Sequence, residues 1–125
     1  MVQNLKRLEN RMTRLKEQYQ DLKEKAQALG YVLPGSVVRR LYRCGKPSCR
    51  CHQDPSALHG PYYQWTRKVK AKTVGMNVER HSVATLKSWI KNDRALRRLI
   101  TRMRQTTLEI LKLTQEIARL ERPPP

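Results

Sequence analysis

Acidic residues are scarce in this chain: 10 Asp and Glu stand against 27 Lys and Arg, a formal net charge of +17 over 125 residues. A two-metal nuclease or transposase centre needs several convergent carboxylates to hold Mg2+. Between residues 30 and 104 only Asp54, Glu79 and Asp93 are present, and no base or orienting partner is evident near Ser36, Ser48 or Tyr63. The chain is therefore expected not to be an enzyme. Cysteine is sparse too. Cys44, Cys49 and Cys51 are the only three, an odd number, and Cys49 and Cys51 lie too close in sequence for relaxed disulfide geometry. No apolar run approaches the length of a membrane span, and the N-terminus lacks a signal-peptide core. The expected location is a reducing cytoplasm, at the nucleoid if the partner is DNA. The length suits one small domain, or one head with extensions.

What is present centres on residues 43–63. Arg-Cys-Gly-Lys-Pro-Ser-Cys-Arg-Cys-His occupies 43–52, and His-Gly-Pro-Tyr-Tyr occupies 59–63. Cys44, Cys49, Cys51 and His59 make a Cys3His set, which suits tetrahedral structural Zn2+; soft thiolates and one imidazole disfavour the hard cations. The spacing Cys-x4-Cys-x-Cys-x7-His departs from the paired Cys-x2-Cys knuckles of common zinc ribbons. Three free buried thiols are the alternative, although Arg, Lys, Gly, Pro, Ser and His do not read as an apolar surrounding. His52 is the rival fourth ligand. It directly follows Cys51, which makes ligation by both awkward, whereas a longer loop leads back to His59. A closed Cys3His set also lacks the open position that a zinc hydrolase requires.

Either side of this stretch the pattern is helical. Leu5, Leu8, Met12, Leu15, Tyr19, Leu22, Ala26 and Leu29 step by alternate threes and fours, the seam of a coiled coil, and Gly30 is expected to end that helix in a left-handed conformation. Residues 31–36 connect it to Val37–Cys44, a predicted strand. Tyr62–Val69 and Thr73–Arg80 are two more, joined by a tight turn at 70–72. Tyr63, Trp65, Arg67 and Val69 share one face, as do Val74, Met76 and Val78. A three-stranded antiparallel sheet of this size needs a staple, and zinc would supply it. From Ser82, a plausible N-cap, a second helix runs to Arg122. Val83, Leu86, Trp89 and Ile90 are suited to covering the sheet. Leu96, Leu99, Met103, Thr106, Ile110, Leu113, Ile117 and Leu120 then repeat the seam, and Pro123–Pro125 stop it. The expected fold class is α+β: a small zinc-bearing sheet inserted between two long helices that form an antiparallel coiled-coil hairpin. The segments are a first helix over 1–30, a head over 31–81, a second helix over 82–122 and a proline tail over 123–125. Because two helices make a thin core, a homodimer through them is also expected.

The positive charge is not evenly spread. Seventeen of the 27 Lys and Arg fall within residues 30–104, against three acids. Arg39, Arg40, Arg43, Lys46, Arg50, Arg67, Lys68, Lys70 and Lys72 belong to the head, and Lys91, Arg94, Arg97, Arg98 and Arg102 to the second helix. Tyr62, Tyr63 and Trp65 interleave with this charge and offer faces for base stacking, with Trp65 the one expected in a core. Such a pattern points to nucleic acid, with acidic protein and anionic membrane as the other polyanions.

Leu33-Pro34-Gly35-Ser36, Arg43-Cys44-Gly45-Lys46-Pro47 with Cys49 and Cys51, His59-Gly60-Pro61-Tyr62-Tyr63 and Lys72-Thr73 together resemble a family of short bacterial proteins of unassigned function, found near integrase and transposase genes. The likeness covers about residues 33–94. Members of that family favour Gly where this chain has Ala71. The resemblance implies association with a mobile element, and hence a DNA-binding accessory role in recombination or transposition with a recombinase or transposase as partner. DNA is favoured over RNA on this ground. The other reading is a coiled-coil module that docks a larger recombinase or nucleoprotein.

Overall fold

The computed structural model describes residues 2–124; Met1 and Pro125, at the outer ends of the predicted first helix and proline tail, lie outside the described residues. In chain order the elements are α1 (Val2–Gln27), β1 (Ser36–Tyr42), β2 (His59–Val69), β3 (Lys72–Val78) and α2 (Val83–Glu121), with 3-10 turns at Arg50–His52, Pro55–Ala57 and Arg80–Ser82. The α+β class is as expected, two long helices flanking an antiparallel sheet of order β1-β2-β3. The chain divides into a helical unit, Met1–Gly30 with Arg94–Pro125, and a head, Tyr31–Asp93.

In the helical unit the alternate three-and-four spacing dictates what is buried. All eight residues of the first seam, seven in α1 and Leu29 just beyond it, are withdrawn from solvent at least in part, and no other described residue up to Gly30 is. Leu15 and Leu22 reach 4% exposure and Leu113 of α2 reaches 5%. Burying each such leucine contributes roughly 1.5–3 kcal/mol. The two helices run antiparallel, because Leu29 shares a groove with Ala95 and Leu99, Tyr19 with Ile100 and Met103, and Arg11 pairs with Glu109 at 3.9 Å. That ion pair is exposed and contributes less than about 1 kcal/mol. Thr106, a polar residue in an apolar seam, satisfies its hydroxyl on the Arg102 carbonyl at 2.9 Å. One seam position fails: Leu120, one residue from the end of α2, is 40% exposed.

The end of α1 corrects the sequence reading. Gly30 is not among the described residues with positive φ. Ala28 N–H still makes the α-helical bond to the Glu24 carbonyl, and the helix then tightens as Leu29 N–H donates to that of Ala26, a 3-10 closure that satisfies an end carbonyl without a left-handed residue.

In the head, β1 and β2 pair from Ser36–Thr66 to Tyr42–His59 with a bulge between Arg40 and Tyr42, and β2 and β3 pair from Tyr63–Val78 to Val69–Lys72. Two residues, Lys70 (φ 50°) and Ala71 (φ 66°), make the hairpin turn. Two successive positive φ values are the signature of a type I′ turn, whose twist matches that of the strands but which favours Asn-Gly. The pairing puts Val37, Trp65 and Met76 in one row and Arg39, Tyr63 and Val78 in the next. On this face Trp65 donates its indole N–H to the Pro34 carbonyl at 2.7 Å and lies beside Leu33, Val78, Leu86 and Trp89 around a groove. The start of α2 is tied down by Leu33 N–H to the Trp89 carbonyl, by Asn92 to the Tyr31 carbonyl and by an edge-on Tyr31–Trp89 contact. Ile90 is 5% exposed. The cover is partial, since Met76 and Val69 stay exposed. Gly35 is obligatory: its φ is +93°, and a Cβ there would collide with the Thr66 carbonyl oxygen.

Candidate metal centre

The strand ladder and two short turns build the centre. Tyr42, the last residue of β1, pairs with His59, the first of β2, so the histidine is set beside the point where the chain leaves for Cys44. Sequence periodicity places the β2 start at Tyr62 instead, because His-Gly-Pro reads as a turn. The bulge absorbs the irregularity on β2, where Gly60 and Pro61 stand opposite the single residue Leu41. Gly60, at φ +111°, could carry no side chain, since a Cβ would lie 2.7 Å from the Arg40 carbonyl oxygen. Similarly β1 ends at Tyr42, two residues before Cys44, which frees that cysteine to turn inward.

Between the strands, Lys46–Cys49 form a turn closed by Cys49 N–H on the Lys46 carbonyl at 3.0 Å, with Pro47 at the position where a fixed φ is an advantage. The 3-10 turn Arg50–His52 then carries Cys51 inward to 1% exposure. Asp54 caps the next turn: its Oδ1 accepts from Ser56 N–H at 2.9 Å and Ser56 Oγ at 2.7 Å. Those bonds, the Ser56 hydroxyl first, hold its carboxyl below the usual range. Asp54 thus shapes the loop that returns to His59.

The ligand atoms of Cys44, Cys49, Cys51 and His59 all lie within 4.8 Å of one another. Cys44 Sγ and Cys51 Sγ are 3.6 Å apart, and Cys49 Sγ and His59 Nε2 are 3.5 Å apart. A tetrahedron with bonds of about 2.3 Å to sulfur and about 2.0 Å to nitrogen has edges of roughly 3.5–3.8 Å. Those two edges match a four-coordinate site, the other pairs lie within 4.8 Å, and the soft donor set suits Zn2+ among the common metals. No two sulfurs are bonded. Cys44 N–H donates to Cys51 Sγ at 3.3 Å, a backbone contact of the kind that stabilises and orients a metal thiolate. The Cys49 thiol is held down to about 6, by a backbone hydrogen bond from Cys51 first and by His59 next, while burial pushes Cys51 up.

His52 stands outside the set. Its Nε2 donates to the Cys44 carbonyl at 2.7 Å, which fixes the proton on that nitrogen and ties the turn to the loop start. Spacing alone leaves His52 and His59 as rivals; the ladder and this hydrogen bond separate them.

The basic residues are distributed over both units. Arg39, Arg40, Arg43, Lys46, Arg50, Lys68, Lys70, Lys72 and Lys91 of the head are exposed, and so are Arg94, Arg97, Arg98 and Arg102 of the helical unit. Arg50 makes a 3.4 Å pair with Asp54 while its side chain stays 82% exposed. Arg67 differs. Its guanidinium sits 4.2 Å from the centre of the Trp65 ring, and its Nη1 is buried without a hydrogen-bond partner, so it is half-withdrawn into the covered face. Tyr63 and Trp65 share that face, whereas Tyr62 lies on the opposite one, beside Tyr42, which sequence reasoning leaves out. The Tyr42 hydroxyl is raised above its ordinary value by its hydrogen bond to Tyr62. The alternation of β1 and the pairing of Arg40 with Tyr62 are the signal for this second face. Among the described residues no helix is long and apolar enough to cross a membrane.

No curated protein and no solved structure matches the chain. A family model described as Domain of unknown function (DUF6788) matches residues 5–88, which take in most of α1, the whole sheet, the four clustered residues and the start of α2. The chain belongs to that family.

Proposed function

We propose that this protein is a non-enzymatic, zinc-stabilised nucleic-acid-binding protein that serves as a DNA-binding accessory factor in recombination or transposition of a mobile element. The observation that carries the reading is the charge: seventeen Lys and Arg against three acids over residues 30–104, with Arg39, Arg40, Arg43, Lys46, Arg50, Lys68, Lys70 and Lys72 exposed on a head that has little core. In this reading Zn2+ on Cys44, Cys49, Cys51 and His59 holds the loop rigid, and the surrounding cations contact phosphates. Such contacts give affinity without reading sequence. The mobile-element role rests on the likeness of the cysteine–histidine block to short bacterial proteins found near integrase and transposase genes, and a reducing cytoplasm suits the thiolates. The test is a titration of zinc-loaded protein with duplex DNA across a salt series. A log K that falls linearly with log salt counts the phosphates contacted; absence of binding at physiological salt refutes the reading.

A second reading has its own observation. Leu108 and Leu111, on α2, are 51% and 52% exposed, and the two-helix core is thin, so the helical unit is suited to docking a second copy or a recombinase. The charge reversals Arg97→Glu and Arg98→Glu weaken DNA binding under the first reading and spare it under the second.

A further inference from the structure

The face of the sheet opposite Trp65 is open. Its rows hold Arg40 with Tyr62, and Val38 with Gln64 and Asn77, while Lys68 pairs with Thr73 farther along. Tyr42 and Tyr62 are 48% and 47% exposed. They are not isolated. The Tyr42 ring lies 5.6 Å from that of His59 at an interplanar angle of 28° and 5.2 Å from that of Tyr62 at 38°. Three rings thus form a row that begins at a ligand of the metal centre and ends in solvent at Tyr62. Arg40, Tyr42, Tyr62, Gln64 and Asn77 border a cavity of ≈ 350 Å³. Within it Gln64 Nε2 donates to Asn77 Oδ1 at 3.1 Å, a bond that leaves the Gln64 carbonyl oxygen to accept and the Asn77 amide hydrogens to donate.

We infer that this face binds single-stranded nucleic acid, with an unpaired base stacking on Tyr62 as the next member of the ring row, its edge meeting Gln64 and Asn77, Arg40 taking a phosphate beside it and Lys68, about 20 Å along the strand, one farther down the chain. The inference rests on the nucleic-acid reading above and names which form of nucleic acid this site takes. A duplex keeps its base faces stacked on one another, so exposed tyrosines have nothing to grip there; an unpaired base offers a face to any aromatic ring. The positive charge calls for an anionic partner, and the ring row favours one that carries a flat ring beside every anionic group, as a nucleic acid does and a run of Asp and Glu does not.

The test uses the full zinc-loaded chain. Fluorescence anisotropy compares oligothymidylate, oligouridylate and a duplex of equal phosphate number, each across a salt series, for wild type, Tyr62→Ala and Tyr62→Phe. Tyr62 is chosen because, unlike Tyr42, it has no ring contact with His59. Wild type is expected to prefer a single strand; tighter binding of oligothymidylate assigns DNA and of oligouridylate RNA, and both carry the proposal. Tyr62→Ala should weaken single-strand binding about five- to hundredfold, while Tyr62→Phe stays near wild type. The salt slope and the duplex affinity should not move, since no phosphate contact is removed. A wild type that binds only duplex, or a Tyr62→Ala protein that binds single strands like wild type with its metal retained, overturns the inference and leaves the nucleic-acid reading standing. Failure of wild type to bind any of the three refutes both and gives the face to a protein partner.

Discussion

In the helical unit Leu15, Leu22 and Leu113 are buried by a repeat that runs the length of both helices, whereas in the head only Cys51 and Ile90 reach the same burial. The head spends its residues differently. Twelve of its Lys and Arg face three acids, its sheet has one half-covered face and one open face, and its most buried side chain is a ligand of the candidate metal centre. A small sheet of this kind is not expected to stand by apolar burial alone. The difference separates two ways of building a unit: a leucine seam orders the helices, whereas the head gathers four candidate metal ligands where a core would otherwise lie and leaves its cations on the surface.

The comparison predicts effects of different size and place. The largest follows Cys51→Ser, which should abolish stoichiometric metal binding and unfold the head, because the ion's binding free energy is folding free energy for such a site. A metal assay combined with circular dichroism reads both, and the helical signal should survive. Gly35→Ala should cost the head more than about 2 kcal/mol through its positive φ and the blocked Thr66 carbonyl, measured by denaturant unfolding. Leu22→Ala should destabilise the helical unit by about 2–5 kcal/mol with metal content unchanged; a loss of metal in this variant would break the separation. His52→Ala removes only a hydrogen bond to the Cys44 carbonyl, so it should cost about 1 kcal/mol and keep the ion. The smallest effect is a gain. Ala71→Gly should stabilise the hairpin by up to about 1 kcal/mol, since Ala71 holds φ 66°, visible as a higher melting temperature of the head.

The seams were legible because a 3.6-residue period leaves no choice about which side chains meet, and the protected positions of α1 are those that spacing names. Leu120 departs only because the helix ends beside it. The ligand set was legible in residue type, since three cysteines and a histidine in a polar loop have few other uses, and the fold brings those four together. What spacing does not carry is long-range pairing. His59 belongs to β2 because Tyr42 pairs with it, and nothing local to His-Gly-Pro announces a strand. Tyr42 shares the face of Arg40 by the alternation of β1, and it is the pairing with β2 that sets it beside Tyr62 and His59. Lys70-Ala71 was readable as a turn but not as a left-handed one, because neither residue type favours positive φ; tertiary pairing of Val69 with Lys72 imposes it. Gly30 misled in the opposite sense, since a glycine at a helix end permits the left-handed stop without requiring it.

The most direct measurement of the central claim is hydrogen exchange along the whole chain before and after a chelator removes the metal. The account predicts that amides of β1, β2 and the 43–59 loop lose protection while those around Leu15, Leu22 and Leu113 keep theirs. Unchanged protection in the head after complete metal removal would contradict it, because the sheet would then be standing without the ligands assigned to hold it.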